Sequence, residues 1–231
     1  MTAKLTGPRL DPKGAAAKQL VVFLHGYGAD GNDLIELGGQ WRGLLPQAAF
    51  VSPHAPERCV ASPTGRQWFG LTSVAPDDPR GAAERWKGVV AARPTIDAFL
   101  DAELARLGLD ESRLALVGFS QGAMMALHVG LRRPRAPAAI IGYSGLLVGP
   151  EHLGEASARN ARGERGPILL VHGDQDPLIP LEAMFVAMND LAKAEIPNQW
   201  HLSFGLGHSI DAGGLRHGGL FLAQAFGIRA R

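Results

Sequence analysis

Short, almost wholly apolar runs recur along the chain and alternate with segments of helical periodicity. The runs that predict buried strands are Leu20–Leu24, Ala48–Val51, Leu114–Val117, Ala138–Ile141 and Ile168–Val171. Strands that are apolar on both faces are typical of parallel sheets covered by helices on each side. The alternation therefore predicts the α/β class, with a mostly parallel central sheet flanked by helices.

The remaining elements follow from weaker patterns. Trp200–Phe204 alternates polar and apolar residues, which favours a strand near an edge of the sheet. Helical spacing predicts helices at Asn32–Gln40, around Ile96 to Leu107, and at Gln121–Arg132, Glu182–Ala194 and Gly214–Phe226. Because proline lacks an N–H, we expect Pro94 to begin or kink the second of these helices.

Two irregular stretches interrupt this order without dividing the chain. We expect residues 1–231 to form a single domain, since strands of one sheet lie on both sides of each stretch. The stretch Pro53–Pro79 is rich in proline and contains the pair Trp68-Phe69, so we interpret it as a functional loop on the substrate side. The polar stretch Gly149–Gly166 is interpreted as a surface excursion.

Charge and cysteine content exclude several classes of function. The chain has 23 Lys and Arg residues against 22 Asp and Glu residues, which gives no bulk attraction for nucleic acid or an anionic membrane. The arginine-rich runs at 132–135 and 159–165 are interpreted as solvated surface. The single cysteine, Cys59, cannot form an intrachain disulfide.

The same features predict where the protein works. No apolar run approaches the roughly 18 residues of a spanning helix, and the first one, Leu20–Leu24, is short for a signal sequence. We therefore expect a cytoplasmic protein without stable membrane insertion. None of the usual metal-ligand spacings is present among the eight histidines and one cysteine, so no metal or other cofactor is expected.

The segment Gly118-Phe-Ser120-Gln-Gly122 has the form of a nucleophile elbow. An apolar strand leads into it and a helical segment leads out, so the turn would push the serine oxygen out of the sheet. Only glycine leaves room on both sides of such a corner. The alternative is a glycine-rich turn in which Ser120 caps the following helix.

A serine nucleophile needs a base. In proteins with a nucleophile elbow, the serine comes first along the chain, then the acid, and then the histidine base. That order leaves three histidines: His201, His208 and His217. His201 lies inside a predicted strand and His217 at the start of a predicted helix. His208 lies in a glycine-rich loop after a strand, where sites of α/β proteins assemble. We therefore expect His208 to be the base.

The acid that orients the base is expected just after the strand Ile168–Val171. Both Asp174 and Asp176 follow that strand, in a turn stiffened by Pro177 and Pro180. One of the two aspartates could instead be a turn former that binds its own backbone. Spacing alone does not choose between them.

The segment Leu24-His-Gly-Tyr27-Gly-Ala-Asp-Gly31 is a candidate oxyanion loop. Its glycines let the backbone bend so that an N–H near Tyr27 can point inward, beside the N–H of Gln121. The letters also match a dinucleotide-binding glycine fingerprint. That alternative lacks an acidic residue ending a second strand about 20 residues on.

Taken together, four ordered motifs resemble the phospholipase/carboxylesterase family, which includes acyl-protein thioesterases and has the α/β-hydrolase fold. The motifs are Leu24-His-Gly-Tyr-Gly-Ala-Asp-Gly31, Gly118-Phe-Ser-Gln-Gly122, His172-Gly-Asp-Gln-Asp-Pro177 and Gly205-Leu-Gly-His208. The resemblance spans most of the chain and is closer to the bacterial carboxylesterase branch.

The resemblance implies a role for each matching position. It makes Ser120 the nucleophile, Asp176 the acid and His208 the base, with the backbone N–H groups of Tyr27 and Gln121 as the oxyanion hole. It also places the pair Trp68 and Phe69 near the acyl site, as substrate-binding residues. The sequence departs from the family pattern at two positions near the expected substrate face, where Gly70 often is acidic and His54 often is asparagine.

The predicted function is therefore that of a carboxylesterase, which cleaves small acyl esters through an acyl-enzyme on Ser120. An acyl-protein thioesterase or a lysophospholipase would use the same residues, so these activities remain alternatives. A binding module without catalysis is the alternative from another class. The sequence leaves the oligomeric state open, with a homodimer as the candidate assembly.

Overall fold

The computed structural model describes residues 4–12, 14–71, 79–154 and 166–228. The strands are β1 (Arg9–Leu10), β2 (Gln19–Leu24), β3 (Ala48–Val51), β4 (Glu57–Arg58), β5 (Arg66–Gln67), β6 (Leu114–Phe119), β7 (Ala139–Tyr143), β8 (Ile168–Gly173) and β9 (Asn198–Ser203). The helices are α1 (Gly31–Trp41), α2 (Pro79–Leu107), α3 (Gln121–Gly130), α4 (Glu182–Lys193) and α5 (Ala212–Ala225), with short 3-10 turns at Glu111–Arg113 and Pro150–His152.

Seven strands form the central sheet, in the order β1-β3-β2-β6-β7-β8-β9. Strand β1 pairs antiparallel with β3, and the other neighbours pair parallel. The prediction of a mostly parallel α/β sheet is confirmed. Since β9 pairs with β8 and ends the sheet order, its prediction as an edge strand is confirmed as well.

Apolar side chains cover both faces of the sheet, and strand β2 shows the pattern. Leu20, Val22 and Leu24 contribute to one core, whereas Val21 and Phe23 contribute to the other. Helices α2, α3 and α4 pack in the first core, and α1 and α5 pack in the second. The sheet is therefore a middle layer, and the carboxyl ends of its parallel strands point toward one common edge.

Helix α2 differs from its prediction. It begins at Pro79, and Pro94 lies inside it, so Pro94 does not begin the helix, and a kink at Pro94 stays a prediction. The first half of α2 carries little apolar periodicity apart from buried Val89, which is why the helical spacing is visible only from Ile96 onward.

Within the stretch Pro53–Pro79, strands β4 and β5 form a small antiparallel hairpin, and residues 72–78 lie outside the described part of the chain. The stretch Gly149–Gly166 begins with a 3-10 turn, and its residues 155–165, with the second arginine-rich run, lie outside the description too.

The interpretation of the first arginine-rich run as solvated surface is wrong. Arg132 and Arg133 are only 6% and 4% exposed. The Arg133 guanidinium lies 3.1 Å from Asp97, 2.6 Å from Asp101 and 3.1 Å from Glu111. Three acidic side chains from neighbouring elements make the burial of this charge tolerable, and sequence order did not reveal that they meet.

Within the described ranges, no helix is long and apolar enough to cross a membrane.

Candidate active site

Ser120 occupies a sharp corner between β6 and α3. Its backbone has φ +53° and ψ −117°, a strained conformation for a residue other than glycine. A Cβ atom on Gly118 would lie 2.1 Å from the Gly122 carbonyl oxygen, and one on Gly122 would lie 1.8 Å from the Leu24 carbonyl oxygen. Glycine is therefore required on both sides of Ser120. The hydroxyl makes no capping hydrogen bond to α3, which argues against the capping alternative.

His208 and Asp176 meet across the ends of two neighbouring strands. The Nδ1 atom of His208 lies 2.7 Å from Oδ2 of Asp176. The other carboxylate oxygen, Oδ1, accepts the N–H groups of Leu178 and Ile179, each at 2.9 Å. The Asp176 side chain is 0% exposed and that of His208 is 14% exposed. The main-chain hydrogen bonds therefore hold the buried carboxylate of Asp176 in place, and the imidazole of His208 lies nearer to solvent.

Burial by itself raises the pKa of Asp176. The hydrogen bonds from Ile179 N–H, from His208 and from Leu178 N–H outweigh that effect and hold the pKa below its usual value. The carboxylate is therefore ionised at neutral pH. An ionised acceptor at Nδ1 leaves Nε2 as the ring nitrogen free to take a proton, which is what a general base needs.

The second aspartate has a different partner. Oδ1 of Asp174 accepts the N–H of Gly205 at 2.6 Å, which joins the loop after β8 to the loop after β9. The geometry therefore pairs His208 with Asp176, the residue that the resemblance implied, and leaves Asp174 to brace the two loops.

The other two candidate histidines lie together at a separate place in the fold. The rings of His201 and His217 stack at 5.1 Å, on β9 and α5. Their acidic neighbour, Asp211, accepts the Gly214 N–H at 2.7 Å and the Ser203 hydroxyl at 2.8 Å. His217 lies inside α5 rather than at its start. This cluster caps a helix and does not join the Asp176–His208 pair.

Two contacts place Ser120 between the base and the candidate oxyanion loop. The ring of Phe119, the residue before Ser120, lies 4.8 Å from the ring of His208. A Cβ atom on Gly26 would lie 3.5 Å from Cβ of Ser120. The loop after β2 and the loop after β9 therefore flank the elbow.

The two predicted oxyanion donors have backbone positions suited to that role. Gln121 is the first residue of α3, so its N–H has no acceptor within the helix. Tyr27 precedes Gly28, whose φ of +83° turns the chain and whose N–H binds the Arg66 carbonyl at 2.9 Å. Burial, and then a hydrogen bond with the Cys59 thiol, raises the pKa of Tyr27. The phenol is thereby engaged on the hairpin side.

The pair Trp68-Phe69 is more deeply buried than the acyl-site prediction suggests. The two residues are 2% and 4% exposed and belong to the core between the sheet and α2. The Gln121 side chain binds both of them: its Oε1 accepts the Trp68 N–H at 2.9 Å, and its Nε2 donates to the Phe69 carbonyl at 2.7 Å. This arrangement favours a packing role, and acyl contact at these residues stays a prediction.

His54, one of the two departures from the family pattern, supports the start of α1. Its Nδ1 accepts the Gly31 N–H at 3.0 Å and lies 3.8 Å from a carboxylate oxygen of Asp30. Two other buried histidines lie near the site, and sequence reasoning assigned them no role. His172 Nε2 lies 2.8 Å from the Ile179 carbonyl oxygen, and His25 lies at the end of β2.

An apolar cavity of about 300 Å³ lies between the loop after β7 and helix α4. Its lining comes from the loop after β7 and from the start of α4, and includes Leu146, Leu147, Pro180, Ala183, Val186 and Ala187. The loop passes Ser120 at Gly145, where an added Cβ would lie 3.1 Å from the Ser120 carbonyl oxygen. Within the ranges that the structure describes, no group of three or more metal-ligating side chains could hold a metal ion.

Several known proteins are similar to this chain in sequence or in fold. A family model described as phospholipase/carboxylesterase matches residues 6–225. The chain is 33% identical to acyl-protein thioesterase 1 of Schizosaccharomyces pombe over 78% of each chain. It is 30% identical to the esterase YpfH of Escherichia coli, over 84% of this chain and 78% of that one.

The structure of the esterase PE8 is similar throughout, with a TM-score of 0.88 and 44% sequence identity over 96% of this chain and 100% of that one. The fold, the ordered motifs and the match over nearly the whole chain lead to one conclusion. The chain belongs to the phospholipase/carboxylesterase family and has its α/β-hydrolase fold.

Proposed function

We propose that this chain is a serine carboxylesterase that forms an acyl-enzyme on Ser120. Membership of the family makes it a hydrolase of the esterase and thioesterase type. The observation that carries the finer assignment is the hydrogen-bonded Asp176–His208 pair, whose carboxylate is buried, together with a strained serine that does not cap its helix. A binding module would need neither the strained serine nor the oriented base.

In the proposed mechanism, His208 takes the proton of Ser120 through Nε2 while the serine oxygen attacks the acyl carbon. The N–H groups of Tyr27 and Gln121 bind the oxygen that becomes negatively charged. The helix α3 adds the positive end of its dipole at the same point. His208 then gives its proton to the leaving alcohol, and the acyl group stays on Ser120.

The second half of the reaction repeats these steps with water. His208 takes a proton from a water molecule, which attacks the acyl-enzyme and forms a second tetrahedral intermediate. Its collapse returns the proton to Ser120 and releases the carboxylic acid. Asp176 holds the imidazole in one tautomer throughout and stabilises its charged form. This sequence uses only groups of the chain, and it needs no cofactor.

The direct test is Ser120→Ala, with hydrolysis of p-nitrophenyl butyrate and covalent labelling by a fluorophosphonate as the two measurements. We expect labelling to disappear and turnover to fall by at least about 10³-fold, because the covalent route is lost. Retention of most turnover in a pure preparation would reject Ser120 as the nucleophile.

Thioester cleavage is the second candidate, favoured by the similarity to an acyl-protein thioesterase. The two reactions share every catalytic group and differ in the leaving atom. A panel of oxygen esters and thioesters with the same acyl chain, measured as kcat/KM on one preparation, separates them.

We also propose a cytoplasmic location, supported by the single unpaired Cys59, which is buried. Cell fractionation tests this location. The homodimer stays a prediction, and sedimentation of the purified chain at several concentrations tests it.

A further inference from the structure

His25 is a buried titratable residue that the proposed mechanism does not use. It is fully buried at the end of β2, and both ring nitrogens have partners. Nε2 accepts the N–H of Ala55 at 3.0 Å, and Nδ1 lies 2.8 Å from the carbonyl oxygen of Gly26. A side chain held this firmly, one residue before the oxyanion loop turns, calls for an explanation beyond filling space.

The partners determine which nitrogen of His25 carries the proton. The Ala55 N–H can only donate, so Nε2 must be the unprotonated nitrogen. The proton is then on Nδ1, which donates to Gly26. Burial lowers the pKa of His25, which keeps the ring neutral and maintains this arrangement.

The carbonyl that accepts this bond belongs to the same peptide as the Tyr27 N–H. A trans peptide is planar, and its C=O and N–H point in opposite directions. A donor that fixes the Gly26 oxygen therefore also fixes the direction of the Tyr27 N–H. The same oxygen also accepts the Ala29 N–H, but at 3.3 Å, so the 2.8 Å hydrogen bond from His25 is the shorter of the two that orient this peptide. Gly26 packs against Ser120, so the peptide lies beside the nucleophile.

We propose that His25 is a positioning residue for ester hydrolysis, whose Nδ1–H aims the Tyr27 N–H at the oxygen that becomes negatively charged. This inference rests on the proposed function of Ser120. It assigns to His25 the preorganisation on which an oxyanion hole depends, because a donor fixed beforehand need not reorient during the reaction.

A second set of contacts joins His25 to the other oxyanion donor. The Trp68 indole N–H donates to the His25 carbonyl at 2.9 Å, and the two rings lie 5.3 Å apart. The main chain of Trp68 and Phe69 is in turn held by the Gln121 side chain. Both oxyanion donors are therefore anchored in one buried hydrogen-bond network, which passes through His25 and Trp68.

The test uses two amide variants that each keep one of the two hydrogen bonds. In His25→Asn the amide takes the place of Nδ1, so the donor to Gly26 is kept and the acceptor for Ala55 is lost. In His25→Gln the amide reaches the place of Nε2, so the Ala55 bond is kept and the donor to Gly26 is lost. A general packing role predicts that activity in both variants follows their loss of stability.

The measurements are kcat and KM for p-nitrophenyl butyrate and the inhibition constant of a trifluoromethyl ketone, which forms an oxyanion on the serine. Removing an oxyanion donor costs about 10²–10³ in kcat. For a misdirected donor in His25→Gln we expect a loss of about 10–100-fold in kcat, with KM unchanged and inhibitor affinity reduced by a similar factor. His25→Asn should stay within about threefold of wild type in both quantities.

Trp41→Phe is the matched control, because the buried Trp41 ring also donates an N–H to a main-chain carbonyl, that of Leu215 at 2.9 Å, and lies outside the proposed site. We expect a lower melting temperature and an unchanged kcat. Wild-type kcat and inhibitor affinity in His25→Gln would overturn the proposal, and so would an equal loss in His25→Asn. Failure of the proposed function would instead appear as turnover that survives Ser120→Ala.

Discussion

Asp176→Asn tests the acid with the smallest change in shape, and the structure shows how the substitution would act. Oδ1 of Asp176 faces the N–H groups of Leu178 and Ile179, both at 2.9 Å. An asparagine must place its carbonyl oxygen there, because its NH₂ group would face two donors. The NH₂ group is then directed at Nδ1 of His208.

That orientation reverses the tautomer of His208. Facing a donor, Nδ1 must accept, so the proton moves to Nε2, the nitrogen that should take the proton of Ser120. The wrong tautomer costs about 10⁴ in turnover in a serine protease triad. That factor corresponds to about 5.5 kcal/mol of lost transition-state stabilisation. Since both main-chain hydrogen bonds survive, we expect unfolding free energy to fall by only about 1–3 kcal/mol.

The assay compares Asp176→Asn with Asp174→Asn by kcat/KM on p-nitrophenyl butyrate and by melting temperature. An asparagine at 174 can still accept the Gly205 N–H through its oxygen, so only the charge of that hydrogen bond is lost. We expect about 1 kcal/mol of destabilisation and little loss of activity. An Asp176→Asn variant within tenfold of wild type, or a folded and inactive Asp174→Asn variant, would refute the reasoning.

Four further outcomes follow from the same geometry. Gly122→Ala should fail to fold as wild type does, by circular dichroism and melting, because its Cβ would lie 1.8 Å from a carbonyl oxygen. Arg133→Ala should lower the unfolding free energy in urea by about 1–3 kcal/mol, because three charge-assisted hydrogen bonds are lost while the carboxylates they leave are partly or fully open to solvent. The pKa of Asp176 is lower folded than unfolded, so its stabilising effect is present above about pH 4 and lost in stronger acid. Urea titrations should therefore show the stability gap between wild type and Asp176→Asn narrowing below that pH. Ala183→Trp should narrow the apolar cavity and reduce kcat/KM for long acyl esters relative to short ones by about tenfold or more, and an unchanged ranking would favour the 53–79 segment as the acyl site.

Sequence alone predicted the sheet because apolarity on both faces is a local property. The strands β2, β3, β6 and β8 are each nearly continuous apolar runs, and a sheet covered on both sides is the structure that buries them. The elbow could also be predicted from the sequence, because a strand-to-helix corner of this kind brings main-chain atoms so close that only glycine fits beside the serine.

The choice between the two aspartates was not available from the residues themselves. Asp174 and Asp176 are two positions apart in one turn, and their partners, Gly205 and His208, come from a loop about 30 residues later. The conformation of both loops decides which carboxylate meets the imidazole. The family resemblance resolved the choice because it carries that three-dimensional information in its motif.

Buried polar networks were the features that sequence reasoning read least well. In the sequence, Arg133 is typical of a surface charge, but in the structure its acidic partners on α2 lie within hydrogen-bond distance. His25 has no evident role in the sequence, but in the structure its ring lies between two main-chain groups. In both cases the side chain is explained by a main-chain or side-chain partner distant in sequence. Burial of a polar group is therefore where a single sequence is least informative.

The proposed catalytic groups and the substrate contacts of this site come from different kinds of segment, and a single sequence predicts the catalytic groups more readily than the substrate. The groups proposed for bond making and breaking follow the carboxyl ends of β2, β6, β8 and β9, which lie at one edge of the sheet. Substrate contacts depend instead on loop segments such as the lining of the cavity beside Gly145, where several apolar residues would serve equally well. Each catalytic position accepts only a few residue types, so a sequence motif can identify it. An apolar lining can instead change residue by residue while the pocket still accepts the same acyl chain.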